Sequence, residues 1–338
     1  MIRHHVDLQR ANTLGLPCRA ERFVAADSLT VARDALRQAA DNGWPLTVLG
    51  GGSNLILQPF LPGLTLQPVF NGVRFEPLDQ GEVRVQVEAG MSWHDLVVCV
   101  AERGLWGTEN LALIPGNAGA APIQNIGAYG VELADVLERV HLLHLDDGRE
   151  CILERDECRF GYRDSIFKHE LEDRVVVTRL VLRVSSRARP RLEYGDLGQR
   201  VGTSPSPGEV VAAVSAIRRE KLPDPAETGN AGSFFKNPSV PAAQARELLE
   251  QFPEMPHFPQ REGRVKLAAG WLIDQCGLKG LRSGHVGVHE RQALVLVHYG
   301  GGSAGELLAL AEQVAATVRA RFGVSLEREP RLVGRPRP

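Results

Sequence analysis

No run in this 338-residue chain approaches the roughly 18 consecutive apolar residues that a membrane-spanning helix needs. The N-terminus, MIRHHVDLQR, lacks the apolar centre of a secretory signal, so a cytoplasmic protein is expected. Charge of one sign is missing too: 39 basic and 41 acidic residues leave a net charge of −2, which provides no field for nucleic acid or an anionic membrane surface. Cysteine is scarce. The five present, Cys18, Cys99, Cys151, Cys158 and Cys276, are odd in number, widely spaced and without a CxxC pair. That excludes a disulfide framework and a structural zinc site, and no metal is expected. Cys158 and Cys276 lie near segments of interest but are read as buried, inert thiols. There is no internal repeat and no low-complexity run. Both standard nucleotide fingerprints are absent as well. Counted from Gly50, GxGxxG would need glycine where Leu55 stands, and no GK[ST] occurs anywhere.

What remains is an ordinary globular composition, 43% hydrophobic and 24% charged, in a chain long enough for about two or three domains. The target is then a small molecule. LTVARDALRQAADN, between Ser28 and Gly43, predicts a helix with glycine just past its end, and Pro45 to Leu49 predicts a buried strand running into Gly50-Gly51-Gly52-Ser53-Asn54. Residues 62 to 88 read as antiparallel strands, the last alternating at Val83, Val85 and Val87. Ser92 caps a helix to about Arg103, and a long glycine-rich loop follows to Gly130. VHLLHLDDGRECILE predicts a hairpin turning at Asp147-Gly148, and RVVVTRLVLRV a long strand. After a loop from Ser185 to Gly208, helices are expected at 209–221, 242–251, 266–276 and 303–322, with one clear strand, 293–298. The helix starting at Ser303 carries a Ser303-x-x-Glu306 capping box and an apolar face of Leu307, Leu310, Ala311, Val314, Val318 and Phe322.

Several segments invite two readings. GGGSN is either a nest of backbone N–H groups for phosphate or a tight turn. LIPGNAGAAPIQNIGAYGVEL, residues 113–133, is poor in charge, which suits backbone pressed against a large flat ligand or a buried Ω-loop. Arg163 could clamp a carboxylate or pair with neighbouring acids. Ser233, in GNAGSFFKNP, has no local His and Asp partners for a triad; it is a turn serine or a proton donor. In LEREPR, alternation puts Glu327 and Glu329 on one face, with surface charge the default. Arg218 and Lys221 close a helix whose dipole suits cations anyway.

Together these segments resemble the UDP-N-acetylenolpyruvoylglucosamine reductase (MurB) family over nearly the whole length. The resemblance rests on LGGGSNLIL (49–57), ENLALIPGNAGAAPIQNIGAYGVEL (109–133), CRFGYRDSIFKHE (158–170), EYGDL (193–197), KLPDP (221–225), GNAGSFFKNP (229–238), KLAAGWLIDQCGLKG (266–280) and HERQALVLV (289–297). EYGDL resembles the tyrosine loop of the longer family type. No histidine lies in or beside GGGSN, where some flavin oxidases of the same fold class attach flavin covalently.

The resemblance implies an α+β fold. Its FAD-binding domain would be of the vanillyl-alcohol-oxidase (PCMH) type, with subdomains at 1–60 and 61–198. A substrate-binding domain would follow at 199–320, and a C-terminal segment, 321–338, would return to the active site. Non-covalent FAD would be held by Gly51, Gly52, Ser53, Asn54, Leu55, Leu113, Pro115, Gly116, Gly119, Gln124, Asn125 and Gly127. NADPH is the implied co-substrate. It would reduce the flavin and leave, and the enolpyruvyl sugar nucleotide would take its place and accept hydride at C3. Arg163 and Glu329, the latter protonated or bridging, would then stabilise the enolate, and Ser233 would protonate C2. Tyr129, Tyr194, Arg218, Lys221, Asn237, Lys279 and Gln292 would hold the substrate. A monomer is expected, with neither nucleic acid nor membrane as partner. Two departures from the family pattern stand out. Arg328 precedes Glu329 and Pro330 follows it, so the spacing to Arg331 selects Glu329 over Glu327. Ala120 and Ala121 stand where some relatives carry hydroxyls.

Overall fold

A computed structural model of the chain describes residues 1–335; the last three residues of the expected C-terminal segment lie outside the described residues. The chain divides into two compact units. The first comprises Met1–Val6, Ala20–Ser53 and Leu61–Glu220, the second Asp7–Arg19, Asn54–Phe60 and, of the described residues, 221–335.

Among the described residues the first unit contains two larger sheets and a two-stranded antiparallel one, Gly127–Ala128 with Val131–Glu132. One larger sheet has the strand order Arg3–Asp7, Arg19–Ala26, Phe60–Pro68, Leu46–Val48. Helix Leu29–Asp41, whose N-terminus is capped by the Ser28 hydroxyl on Val31 N–H, shares a core with it through Ala32, Ala35, Leu36, Leu64 and Leu66. The other is five-stranded and antiparallel, in the order Glu150–Glu154, Leu137–His144, Val175–Ser185, Glu82–Glu88, Val73–Pro77. Alternation in EVRVQVE sets its register. Val85 and Val87 face inward opposite Leu182 and Leu180, under helices Trp93–Ala101 and Pro207–Lys221.

The second unit is built on the sheet Gly229–Ser233, Val295–His298, Val286–Val288, Arg282–Ser283. A three-stranded sheet, Ser239–Pro241, Arg264–Leu267, His257–Pro259, and a parallel pair, Leu55–Leu57 with Arg331–Val333, complete its strands. Helix Ala304–Phe322 buries the expected apolar face in a core that includes Phe234 and Phe235.

Four expectations need correction. Phe60–Pro68 does not join the antiparallel sheet of residues 73–88 but pairs in parallel with Leu46–Val48. The expected helix at 266–276 begins with the end of a strand, Arg264–Leu267, and is helical only over Ala269–Gln275, because Lys266 and Leu267 find cross-strand partners in Ser239 and His257. GNAGS is a strand rather than a turn, bulged between Asn230 and Ser233. Lastly, Ser303 does cap Glu306 N–H, but the Glu306 carboxylate meets His285 Nδ1 at 3.2 Å.

Candidate active site

In the first unit the GGGSN loop lies against the second glycine-rich segment. A Cβ on Gly51 would stand 2.8 Å from Gly116 Cα and 2.9 Å from Asn117 Oδ1, so only glycine permits this approach. The segment 111–119 is tied to the entry of helix Trp93–Ala101. Trp93 donates through Nε1 to Leu111 O (3.1 Å) and through its backbone N–H to Gly116 O (3.0 Å). Ala118 and Gly119 donate their N–H groups to Met91 O and Ala89 O. Leu113 takes a left-handed conformation, φ +57°, which costs a side chain of its size about 1–3 kcal/mol. Its N–H goes to His94 Nδ1 at 3.0 Å, and its carbonyl accepts from Arg218 Nε at 3.2 Å.

Arg218 stands in the electrostatic reach of Tyr129 and Arg163. Burial, followed by the opposing influence of Tyr129 and the repulsion of Arg163, leaves its guanidinium below the usual arginine range. Burial likewise raises the Tyr129 phenol, against the pull of Arg218. Arg163 is itself left-handed, φ +54°, and donates from Nη2 to Gly127 O at 2.9 Å. A Cβ on Gly127 would lie 3.1 Å from Arg163 Nη1, so glycine leaves room for the guanidinium there. Tyr194, 57% exposed, meets Tyr129 edge to face at 5.7 Å. Asn125 is buried with its amide fully used inside the fold, accepting from Ala134 N–H and donating to Glu132 Oε2 and Gly161 O.

In the second unit the backbone following Ser233 runs beside the backbone at Glu329. Ser233 ends the strand Gly229–Ser233, and the next residue, Phe234, accepts at its carbonyl from Glu329 N–H at 2.9 Å. Among the described residues the Ser233 hydroxyl makes no hydrogen bond to the protein. Buried Asn230 shapes the bulge, donating to Pro223 O and Thr228 O and accepting from Gly232 N–H. The two glutamates of LEREPR part company: Glu329 is half-buried, whereas Glu327 is exposed and paired with Lys236 Nζ at 2.5 Å. Asn54 is bonded on the same side, its carbonyl accepting from Arg331 N–H at 3.1 Å and its Nδ2 donating to Glu329 O at 3.5 Å. Of the remaining expected site residues in this unit, Asn237 accepts from Ala269 N–H, Lys279 pairs with Asp274, Gln292 accepts from Leu294 N–H, and Lys221 is exposed at the end of its helix. Among the described residues no cluster of three or more His, Cys, Asp or Glu could hold a metal ion, and no helix is long and apolar enough to cross a membrane.

Residues 20–153 match the family model of the FAD binding domain, and residues 224–333 that of the C-terminal domain of UDP-N-acetylenolpyruvoylglucosamine reductase. The chain is 49% identical over 336 residues to the UDP-N-acetylenolpyruvoylglucosamine reductase of Chromobacterium violaceum, covering 98% of each chain. It is likewise 49% identical over 335 residues to that of Pseudomonas aeruginosa, with 98% of each covered. The chain belongs to the UDP-N-acetylenolpyruvoylglucosamine reductase family. The crystal structure of the Thermus caldophilus reductase (MurB) superposes with a TM-score of 0.69 at 26% identity, over 99% of this chain and all of that one. The reductase is thus an FAD-dependent oxidoreductase acting on a sugar-nucleotide precursor of peptidoglycan, on an α+β fold with the expected vanillyl-alcohol-oxidase type of FAD-binding domain.

Two parts of this reductase escape sequence reasoning. His94 reads only as part of a helix start, because its partner Leu113 is nineteen positions away. Asn110, fully buried, donates from Nδ2 to both Tyr129 O and Arg191 O at 2.8 Å, and so ties the Tyr129 turn to the segment leading to Tyr194. Cys158 is buried as expected, whereas Cys276 is only half-buried, a correction to the expectation of a buried thiol there. Burial pushes the Cys158 thiol up to about 12 and raises that of Cys276 as well.

Proposed function

We propose that this enzyme, as a cytoplasmic monomer using NADPH, reduces the enolpyruvyl group of UDP-N-acetylglucosamine enolpyruvate to the lactyl ether of UDP-N-acetylmuramate. FAD, when bound, supplies hydride from its reduced N5 to C3 of the enolpyruvyl group. The backbone of Gly51, Gly52, Ser53, Asn54 and Leu55 holds its pyrophosphate, and Leu113, Pro115, Gly116, Gly119, Gln124, Asn125 and Gly127 line the rest. The close approach of residues 51 and 116 supports this, because it packs the backbones of the two glycine-rich segments directly against each other, as a cradle of backbone N–H groups needs. Asn125, its amide already engaged, contributes by fixing the backbone around it. In this reading residues 1–60 and 61–198 form the two FAD subdomains, 199–320 the substrate domain, and 321–338 the segment that carries Glu329.

Addition of hydride at C3 leaves negative charge spreading from C2 into the carboxylate. The Arg163 fork stabilises that charge. Glu329 holds the carboxylate side as a protonated or bridged group, since a bare carboxylate would repel it. Ser233 delivers the proton to C2. The observation that supports this assignment is the bond from Glu329 N–H to Phe234 O at 2.9 Å, which runs the backbone of residue 329 beside that of residue 234, next in the chain to Ser233. Lys221 and Lys279 attract the diphosphate as point charges. Tyr129, Tyr194, Arg218, Asn237 and Gln292 complete the substrate contacts.

The test separates the two half-reactions. NADPH bleaches the flavin under anaerobic conditions, and the enolpyruvyl sugar nucleotide restores its colour. Ser233→Ala leaves bleaching near the wild-type rate and slows the return of colour by about 10²–10⁴-fold. Equal slowing of both halves would make Ser233 a structural residue.

A further inference from the structure

His94 has no part in the scheme above, yet it grips the segment on which cofactor binding depends. It is the second residue of helix Trp93–Ala101 and half-buried. Its Nδ1 accepts the Leu113 N–H at 3.0 Å, and a ring nitrogen that accepts carries no proton, so the imidazole is neutral with its proton on Nε2. Leu113 is thereby held at both of its flanking peptide groups, by His94 at the N–H and by Arg218 at the carbonyl, in a left-handed conformation that a leucine does not adopt unaided. Three residues on is Gly116, where a Cβ would come within 2.5 Å of Ser53 Oγ. The backbone angle at Leu113 therefore sets how residues 114–116 meet the GGGSN loop, and that approach has no slack.

We propose that His94 is a positioning residue for the cofactor: its neutral imidazole holds Leu113 in the left-handed state that seats the 113–116 backbone for FAD, and protonation of Nδ1 releases it. The inference rests on the assignment of Leu113, Pro115 and Gly116 to the FAD site. The groups facing His94 are Asp95 on its own helix and Arg218 and Arg219 on helix Pro207–Lys221; the Leu113 segment packed against it presents no charge. Burial is the leading influence and, with the two arginines, outweighs Asp95, leaving His94 below the usual histidine range. The acceptor is thus intact at neutral pH and is lost on acidification.

Two variants test this. His94→Asn puts an amide oxygen close to the place of Nδ1, an acceptor that does not titrate; His94→Leu has no acceptor. The dissociation constant of FAD is measured by flavin fluorescence on apoprotein between about pH 5 and 8. Wild-type affinity falls about tenfold or more across that range on acidification. His94→Asn stays near the wild-type neutral value at every pH. His94→Leu binds about tenfold more weakly throughout, without the acid-dependent step. The proposal is overturned if His94→Asn keeps the wild-type pH profile, or if His94→Leu binds FAD as the wild type does. Should His94→Leu fail to fold, the contrast between wild type and His94→Asn decides alone. Gly51→Ala separates the underlying assignment: if it leaves FAD affinity unchanged, the loop is not the cofactor site. If it weakens FAD binding while His94→Leu does not, only the positioning role falls.

Discussion

Replacing Gly51 by alanine puts the contact between the two glycine-rich loops to a quantitative test. The added Cβ would sit 2.8 Å from Gly116 Cα and 2.9 Å from Asn117 Oδ1. Carbon atoms in contact rest about 3.5–4.0 Å apart, so the loops must separate by about 1 Å. Because the nearest obstacle is backbone, no rotamer change relieves the clash. Overpacking of this kind costs about 1–3 kcal/mol. If that cost falls on the cofactor-bound form, FAD affinity drops by about 5- to 150-fold, at about 1.4 kcal/mol per tenfold. The assay is titration of apoprotein with FAD, followed by flavin fluorescence, alongside thermal unfolding of the apoprotein. Gly104→Ala is the control. Gly104 is left-handed at φ +70° with open space around it, so alanine there costs about 1 kcal/mol of folding stability through backbone strain and leaves FAD affinity alone. A Gly51→Ala protein whose FAD dissociation constant stays within about twofold of the wild type would refute the reasoning.

Two further substitutions are informative. Glu327→Gln, which breaks an exposed pair with Lys236, costs about 0–1 kcal/mol of stability and leaves both half-reactions intact, whereas Glu329→Gln slows flavin re-oxidation by the enolpyruvyl substrate about 10²-fold; equal effects in stopped-flow measurements would remove the distinction between the two carboxylates. Glu109 is buried, and burial, opposed by the Gly107 N–H at 2.6 Å, raises its carboxyl above the ordinary value. The folded protein therefore keeps a proton in a pH window where the unfolded chain has lost it, and stability falls as pH rises through that window. Glu109→Gln is free of this penalty, so its melting temperature should gain on the wild type as pH goes from about 4 to about 8; a gain that shrinks over that interval contradicts the sign.

Local signals were legible wherever one chain segment decides the outcome. Ser28 and Gly43 bracket the first helix, alternation at Val85 and Val87 sets the face of the central strand, and Asp147-Gly148 turns the hairpin between His144 and Glu150. What escaped depends on distant partners. GNAGS carries two glycines and an asparagine, the composition of a turn, and becomes a strand because Val295–His298 offers a ladder and Asn230 absorbs the bulge with its own amide. Lys266 and Leu267 continue a helical pattern in sequence but are claimed by Ser239 and His257. The candidate site divides in the same manner. Glycine spacing announced the loops, and motif resemblance singled out Arg163, Ser233 and Glu329, but nothing near Leu113 in the sequence reveals that a histidine and an arginine hold its peptide.

The parallel pairing of Arg331–Val333 with Leu55–Leu57 bears on how the protein matures. Asn54, the last residue of GGGSN, is secured by the N–H of Arg331 and the carbonyl of Glu329, and Gln58 N–H by Val333 O. Those partners leave the ribosome last among the described strands, long after the loop itself has emerged. A nascent chain that has not reached residue 333 therefore exposes this stretch as an open strand edge with unmet N–H and C=O groups, a target for chaperones.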